Sequence, residues 1–215
     1  MPAAVPRVLL VHGAATTARS WAAVAALLTG LDVAAPDRPC TGDLDQEVAA
    51  LAGAAEGALV VGVSGGATLG LALAASGVRL RGALLHEPAA GSLVPGLLGP
   101  VAAAHARGGV AAFGSALYGA AWEPSMAPAD PGAVARDLAV FRAFEPAAPR
   151  PGQGPVVVST GGASPPVRHE VATALAERFG LARRVLPGCR HFVQHEHPAV
   201  LAGAVRALLV ELPVA

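Results

Sequence analysis

The alternation of short apolar runs with longer helix-like segments constrains the fold of this chain more than any other feature. Largely apolar runs occupy residues 7–11, 32–36, 58–63, 82–86, 155–160 and 183–186. Helical candidates lie between or after them, at residues 18–28, 44–55, 65–75, 166–179 and 198–212. Runs that are apolar on both faces are typical of strands that helices cover above and below. The pattern therefore predicts an α/β fold with a doubly wound, mostly parallel sheet of about six strands.

The alternation stops between residues 88 and 154. This stretch is rich in Gly, Pro and Ala, contains no convincing strand, and shows helical spacing near residues 109–118 and 131–144. We predict a core formed by residues 1–87 and 155–215, with residues 88–154 as a helical insertion over the C-terminal edge of the sheet. The alternative is one long connection packed on the side of the sheet.

A serine flanked by glycines follows the third apolar run. Gly62-Val63-Ser64-Gly65-Gly66 fits the pattern G-x-S-x-G at a place where a buried strand ends and a helix begins. A nucleophile on such a sharp turn has strained backbone geometry, and side chains two residues to either side would collide, so glycine is needed there. The exposed hydroxyl can reach a substrate, while the N–H of Gly65 and the helix N-terminus face developing negative charge. The alternative is a glycine-rich turn with an idle serine.

A second loop at the same edge follows the first strand. Residues 11–15 read Val-His-Gly-Ala-Ala, and Gly13 allows the loop to bend sharply beside Ser64. The backbone N–H of Ala14 or Ala15 would then supply the second hydrogen-bond donor to an oxyanion. His12 has the chemistry of a base, but its place in this loop favours a structural hydrogen bond.

A histidine follows the last predicted strand, within Leu186-Pro187-Gly188-Cys189-Arg190-His191-Phe192. A loop leaving that strand can bring His191 back to the top of the sheet, near Ser64. Neutral imidazole is the group best suited to take the proton of a serine near pH 7 and deliver it to a leaving group. His195 and His197 lie nearby, and we interpret them as surface or helix-cap residues.

Taken in chain order, these motifs resemble the α/β-hydrolase superfamily. The matching segments are VLLVHG at residues 8–13, Trp21, APDRPCTGD at residues 35–43, GVSGG at residues 62–66 and LPGCRHFVQHEHP at residues 186–198. The resemblance implies that Ser64 attacks a carbonyl, that His191 relays the proton, and that the amides of Ala14 and Gly65 stabilise the oxyanion. It implies neither a cofactor nor a metal. Asp37 matches an aspartate that is usually structural, and Cys40 replaces a glycine of that loop.

The acid of the triad is where this sequence departs from the family. Members usually carry Asp after the penultimate strand, and here Ser164 occupies that position. A hydroxyl can accept a hydrogen bond from His191 but cannot offset the charge of an imidazolium. The other known location is one strand earlier, where this chain has Glu87 in Leu84-Leu85-His86-Glu87-Pro88. Glu87 is our candidate acid; a packed strand-end carboxylate is the alternative, and we interpret the adjacent His86 as structural.

The predicted function is a serine hydrolase that cleaves an ester, thioester or lactone of a small, fairly apolar molecule through an acyl-enzyme on Ser64. Two alternatives stay open. One is a non-hydrolytic member of the same fold, such as a lyase or cyclase in biosynthesis. The other is a catalytically inactive binding protein.

Composition limits the binding partners and the cellular location that we expect for this chain. The net charge is zero and 14% of residues are charged, with no basic cluster, so nucleic acid has little to bind. No apolar run of 18 residues and no secretory signal are visible, so we expect no membrane span and a cytoplasmic location. Cys40 and Cys189 are read as free thiols. The absence of Lys, Asn and Ile indicates a GC-rich, bacterial genome. No oligomeric state is specified.

Overall fold

A computed structural model of the protein describes residues 5–212. Six strands form one sheet: β1 (Arg7–Val11), β2 (Asp32–Ala34), β3 (Leu59–Val63), β4 (Gly82–His86), β5 (Val156–Gly161) and β6 (Ala182–Leu186). Their order is β2-β1-β3-β4-β5-β6, and every adjacent pair is parallel. The predicted six-stranded α/β sheet is confirmed.

Helices cover both faces of this sheet. They are α1 (Ala22–Leu27), α2 (Leu44–Ala55), α3 (Gly65–Ala75), α4 (Gly99–Tyr118), α5 (Ala133–Ala143), α6 (Pro166–Phe179), α7 (Val193–Glu196) and α8 (Pro198–Glu211). Alternate residues of each central strand enter two separate cores, because side chains of a strand point to opposite faces. Val60 packs with residues of α2, α3 and α6, whereas Leu59 and Val61 pack with residues of α1 and α8. This arrangement is the predicted double winding.

The segment between β4 and β5 contains α4 and α5 and no strand. The predicted start of the first helix, at residue 109, was wrong, because α4 begins ten residues earlier at Gly99. Gly108 and Gly109 depart from helical geometry, with Gly109 at φ 60°, and they kink the helix there. An Ala-rich first half followed by a glycine pair shows little apolar periodicity, which is why only the second half was visible in the sequence.

The carboxyl ends of all six strands lie at one edge of the sheet, since all the strands are parallel. Backbone strain is concentrated at this edge. The only non-glycine residues of the described range with positive φ are Ala15, Cys40, Ser64 and Glu87, and each lies in a loop that leaves a strand there. Such conformations persist only where the surroundings impose them, and they gather at functional sites. Within the same residues, no helix is both long enough and apolar enough to cross a membrane.

Candidate active site

Ser64 lies on a tight turn between β3 and α3, with φ 59° and ψ −122°. Its N–H donates to the carbonyl of His86, 2.9 Å away, which ties the turn to β4. A Cβ added to Gly62 would lie 2.4 Å from the carbonyl oxygen of Gly66, and one added to Gly66 would lie 1.9 Å from that of Val11. Larger residues therefore do not fit at either position, which agrees with the steric reason given above for the glycine spacing.

Glu87 follows β4 and has left-handed backbone geometry, with φ 51°. Its side chain is buried; Oε2 lies 2.7 Å from Nδ1 of His191, and Oε1 accepts a hydrogen bond from the N–H of Gly161 at 3.0 Å. Burial alone would raise the pKa of this carboxyl, but its contacts with His191 and His86 bring the pKa well below the usual range. Glu87 is therefore ionised, and it is Glu87, not Ser164, that pairs with His191.

His191 lies in the loop after β6 and is 8% exposed. Because ionised Glu87 can only accept, Nδ1 of the imidazole carries the proton and Nε2 presents its lone pair. Within residues 5–212, Nε2 has no hydrogen-bond partner. Burial, followed by the positive charge of Arg168, lowers the pKa of His191 to about 4. The imidazole is consequently neutral near pH 7, the state that a general base requires.

A Ser–acid–His triad requires a hydrogen-bonded chain from Glu87 through His191 to Ser64, and among residues 5–212 only its first link is formed. Tyr118, from the end of α4, accounts for the difference. Its hydroxyl donates to the carbonyl of Ala14 at 2.7 Å, and its ring stacks on His191 with centroids 5.6 Å apart. A Cβ on Gly13 would lie 2.8 Å from the Tyr118 hydroxyl and 2.9 Å from Ser64 Cβ, so the two side chains are close neighbours. Catalytic hydrogen bonds in unliganded enzymes are often long and tighten when substrate binds.

The hydroxyl of Tyr118 is a weak acid in this setting. Burial raises its pKa to about 12, although hydrogen bonds with Ser64 and Thr16 act in the opposite direction. It therefore remains protonated at neutral pH and can accept a hydrogen bond from the serine hydroxyl while it donates to Ala14. The Tyr118 hydroxyl is thus a close neighbour of Ser64, and Nε2 of His191 has no partner among residues 5–212.

The two predicted oxyanion donors occupy the same edge. Gly65 is the first residue of α3, so its N–H has no partner within the helix, and the loop after β1 carries Ala14. Among the hydrogen bonds of the described residues, neither N–H donates to a protein acceptor. Both residues also line the cavity that contains Ser64.

A small, narrow cavity opens beside Ser64. Its wall on the side of the insertion is apolar, formed by Leu98, Val101, Phe113, Leu117, Leu138 and Phe141. Its polar lining comes from the core, mainly Ser64, Thr68, Glu87 and Arg168. Phe141 packs so tightly on Gly65 that a Cβ there would lie 2.3 Å from the ring. Apolar side chains therefore dominate the side of the cavity that the insertion forms.

The remaining predicted polar residues have structural contacts. Nδ1 of His12 lies 3.0 Å from the Gly13 carbonyl, and its Nε2 accepts from the N–H of Arg38, while burial lowers its pKa to about 3. Asp37 accepts from the N–H of Ala18. The buried ring of His86 lies between the Ser159 hydroxyl and the Arg190 carbonyl. These contacts agree with the structural interpretation of all three residues.

His195 and His197 also lie away from the reacting groups. His195 stacks on Phe192, with ring centroids 4.8 Å apart, and His197 directly precedes α8. Across residues 5–212, no group of three or more His, Cys, Asp or Glu side chains could hold a metal ion. Both cysteines are buried thiols.

Sequence reasoning missed three contributors to this region: Tyr118, Arg168 and a buried ion cluster centred on Arg38. Tyr118 is the only tyrosine of the chain, which could have marked it as a residue to place. Arg168 is one arginine among many on amphipathic helices, and no local pattern distinguishes it. The partners of Arg38 are Glu47 and Asp137, up to 99 positions away, so only the fold brings them together.

Comparison with known proteins places this geometry in a family. A profile of the alpha/beta hydrolase family matches residues 8–204. No curated protein sequence matches the chain.

Solved structures with similar folds include an enol-lactonase from Burkholderia xenovorans LB400, with 20% identity and a TM-score of 0.73 over 96% of this chain and 92% of that one. A thermophilic esterase from Thermogutta terrifontis has 21% identity and a TM-score of 0.72 over 97% and 90%. An alpha/beta hydrolase from Sphaerobacter thermophilus has 25% identity and a TM-score of 0.64 over 96% and 93%. With a family match over nearly its whole length, the chain belongs to the alpha/beta hydrolase family and is an α/β-fold hydrolase.

Proposed function

We propose that this hydrolase cleaves an ester, thioester or lactone of a small, largely apolar molecule through an acyl-enzyme on Ser64. The observation that carries the proposal is the 2.7 Å contact between Glu87 and Nδ1 of His191. This contact favours the tautomer in which Nε2 can accept a proton. Glu87 and Ser64 line the same cavity.

In the proposed reaction, substrate binding turns the Ser64 hydroxyl from Tyr118 to Nε2 of His191. Oγ attacks the carbonyl carbon as its proton passes to Nε2, and the carbonyl oxygen becomes an oxyanion facing the N–H groups of Ala14 and Gly65. The intermediate collapses, and the leaving alcohol or thiol takes the proton from His191. Water then attacks the acyl-enzyme with His191 again as base, which releases the acid and restores Ser64.

Glu87 stabilises the imidazolium that forms in each half-reaction. The proposal also gives the insertion, residues 88–154, the role of a cap, because its apolar side chains form one wall of the cavity and would exclude water. No metal or organic cofactor is needed, since a hydroxyl, an imidazole and backbone amides perform every step.

The direct test is turnover of short-chain esters such as 4-nitrophenyl butyrate. We expect the wild-type protein to show a burst or steady-state hydrolysis that Ser64→Ala reduces to background. Ser76→Ala is the matched control, because Ser76 ends α3 and its hydroxyl bonds only to nearby backbone. Activity that survives in Ser64→Ala would refute the nucleophile assignment.

The alternatives predict different outcomes of the same experiment. A lyase or cyclase of this fold would leave the esters intact, and a binding protein would neither hydrolyse them nor form a covalent adduct. The complete Glu87–His191 pair supports a catalytic protein over a binding protein, because a binding site has no need of an oriented base.

A further inference from the structure

The guanidinium of Arg168 forms part of the cavity wall beside Ser64. Its side chain is only 12% exposed, and it extends from the first turn of α6 into the cavity that Ser64 and Gly65 also line. Burying a cation is costly unless a counter-charge and hydrogen bonds compensate for lost water. The contacts of the Arg168 guanidinium therefore indicate whether its role is structural or is to bind a ligand.

Those contacts are incomplete. Nη1 donates to the backbone carbonyl of Glu87 at 3.4 Å, and Nε lies 3.6 Å from Oε2 of the same residue, which is too long for a strong hydrogen bond. Among residues 5–212, no acceptor is recorded for Nη2. The Glu87 carboxylate does not complete the set, because it lies 3.6 Å from Nε of Arg168, whereas its oxygens bond to His191 and to the Gly161 N–H at shorter distances.

We propose that Arg168 binds a carboxylate of the substrate, so that the enzyme acts on esters or lactones whose acyl part carries a second, anionic group. This inference rests on the proposed function and narrows its substrate class. The planar guanidinium offers a fork of N–H donors that matches a carboxylate. The apolar body of the acyl chain would lie against Leu138 and Phe141 while its reacting carbonyl meets Ser64.

The lining of the cavity guides the choice of probes. Because the space beside Ser64 is narrow, half-esters of short dicarboxylic acids are the appropriate probes. Each has a matched neutral ester in which a methyl group replaces the carboxylate. The monomethyl esters of succinate, glutarate and adipate pair with methyl butyrate, methyl valerate and methyl hexanoate.

The experiment compares kcat/KM for these pairs in wild type, Arg168→Met and Arg168→Lys. We expect wild type to prefer at least one half-ester over its neutral partner, and Arg168→Met to lose about 30-fold on that half-ester, as for a hydrogen bond to a charged group. The neutral ester should change little, and Arg168→Lys should keep part of the preference. Arg178→Met is the control, because it removes the same charge from an exposed position of α6.

Two results would overturn the proposal: no preference for any half-ester, or an equal loss on both members of a pair, since the latter means that Arg168 only positions Glu87. A binding measurement makes the test independent of catalysis. By calorimetry, glutarate should bind to Ser64→Ala and not to the double variant with Arg168→Met, whereas absence of binding to Ser64→Ala contradicts the proposal. If glutarate binds as expected but no ester is hydrolysed, the proposed function fails and the carboxylate site stands.

Discussion

Two arginines at the same edge of the sheet, the buried Arg38 and the half-buried Arg168, differ sharply in how they are paired. Arg38, in the loop after β2, donates to Glu47 at 2.9 Å, to both oxygens of Asp137 at 3.2 and 2.6 Å, and to the His12 carbonyl at 3.0 Å. Arg168 has only the two long contacts with Glu87. The Arg38 guanidinium is saturated in the sense that each of its three nitrogens donates to a protein acceptor, and the Arg168 guanidinium is not.

The difference indicates two tasks for the same side chain. Asp137 belongs to α5 and Glu47 to α2, so Arg38 joins the insertion to the core, and four of its five N–H groups donate to protein acceptors. Arg168 faces the cavity with donors to spare. A saturated buried ion cluster contributes to a fixed structure, whereas an unsaturated one beside a nucleophile is suited to bind substrate.

The largest effect should come from breaking the saturated cluster. Arg38→Met leaves two buried carboxylates without their cation, and we expect a loss of about 3–5 kcal/mol in the free energy of unfolding. Denaturant unfolding followed by circular dichroism measures it. A loss below about 1 kcal/mol would show that the cluster does not hold the insertion to the core.

Removing the negative charge of Glu87, which contacts both Arg168 and His191, should chiefly affect the catalytic rate. Glu87→Gln keeps the shape of the side chain but cannot stabilise the imidazolium, so we expect kcat to fall by about 100-fold or more with little change in KM. Initial rates on the best ester give both constants. An unchanged kcat would exclude Glu87 as the acid and return attention to Ser164.

The dependence of kcat/KM on pH should show how the positive charge of Arg168 affects the pKa of His191. Because the pKa of His191 is lowered to about 4, its neutral form persists into acid, and kcat/KM should fall only below about pH 4–5. Arg168→Gln removes a cation that disfavours imidazolium, so the pKa of His191 should rise and the acid limb should move to higher pH. Using a neutral ester keeps substrate binding out of the comparison, and a limb that stays in place would contradict the assigned coupling.

The smallest effect should be that of Arg168 on stability. Glu87 keeps its contacts with His191 and Gly161 when Arg168→Met is made, so the free energy of unfolding should change by about 1 kcal/mol or less. The same denaturant titration, run beside Arg38→Met, gives the contrast directly. Equal losses in the free energy of unfolding for Arg38→Met and Arg168→Met would contradict the different roles assigned to the two arginines.

Local sequence patterns were sufficient to predict those parts of the structure that depend mainly on neighbouring residues. The bounds of β1, β4, α2, α3 and α6 agree with the predicted residues. Asp43 caps α2 by accepting from the N–H of Gln46, a contact between residues three positions apart. Glycine spacing around Ser64 likewise reflects a purely local steric demand.

Contacts set by distant parts of the chain could not be predicted. The Tyr118 hydroxyl bonds to Ala14 across 104 positions, and the stacking of the same ring on His191 follows from how α4 folds back over the sheet. For the same reason the expected bond from Ser64 to His191 was not found: a side chain of the insertion, whose packing no periodicity specified, occupies the space beside both.

Covalent labelling with a fluorophosphonate probe tests the central claim most directly, since the probe reacts with a serine only when a neighbouring base activates it. Peptide mass spectrometry should find a single modified residue, Ser64, in the wild-type protein, and no adduct in Ser64→Ala or His191→Ala. An adduct on another residue, or labelling of Ser64 that is unchanged in His191→Ala, would contradict activation of this serine by this histidine.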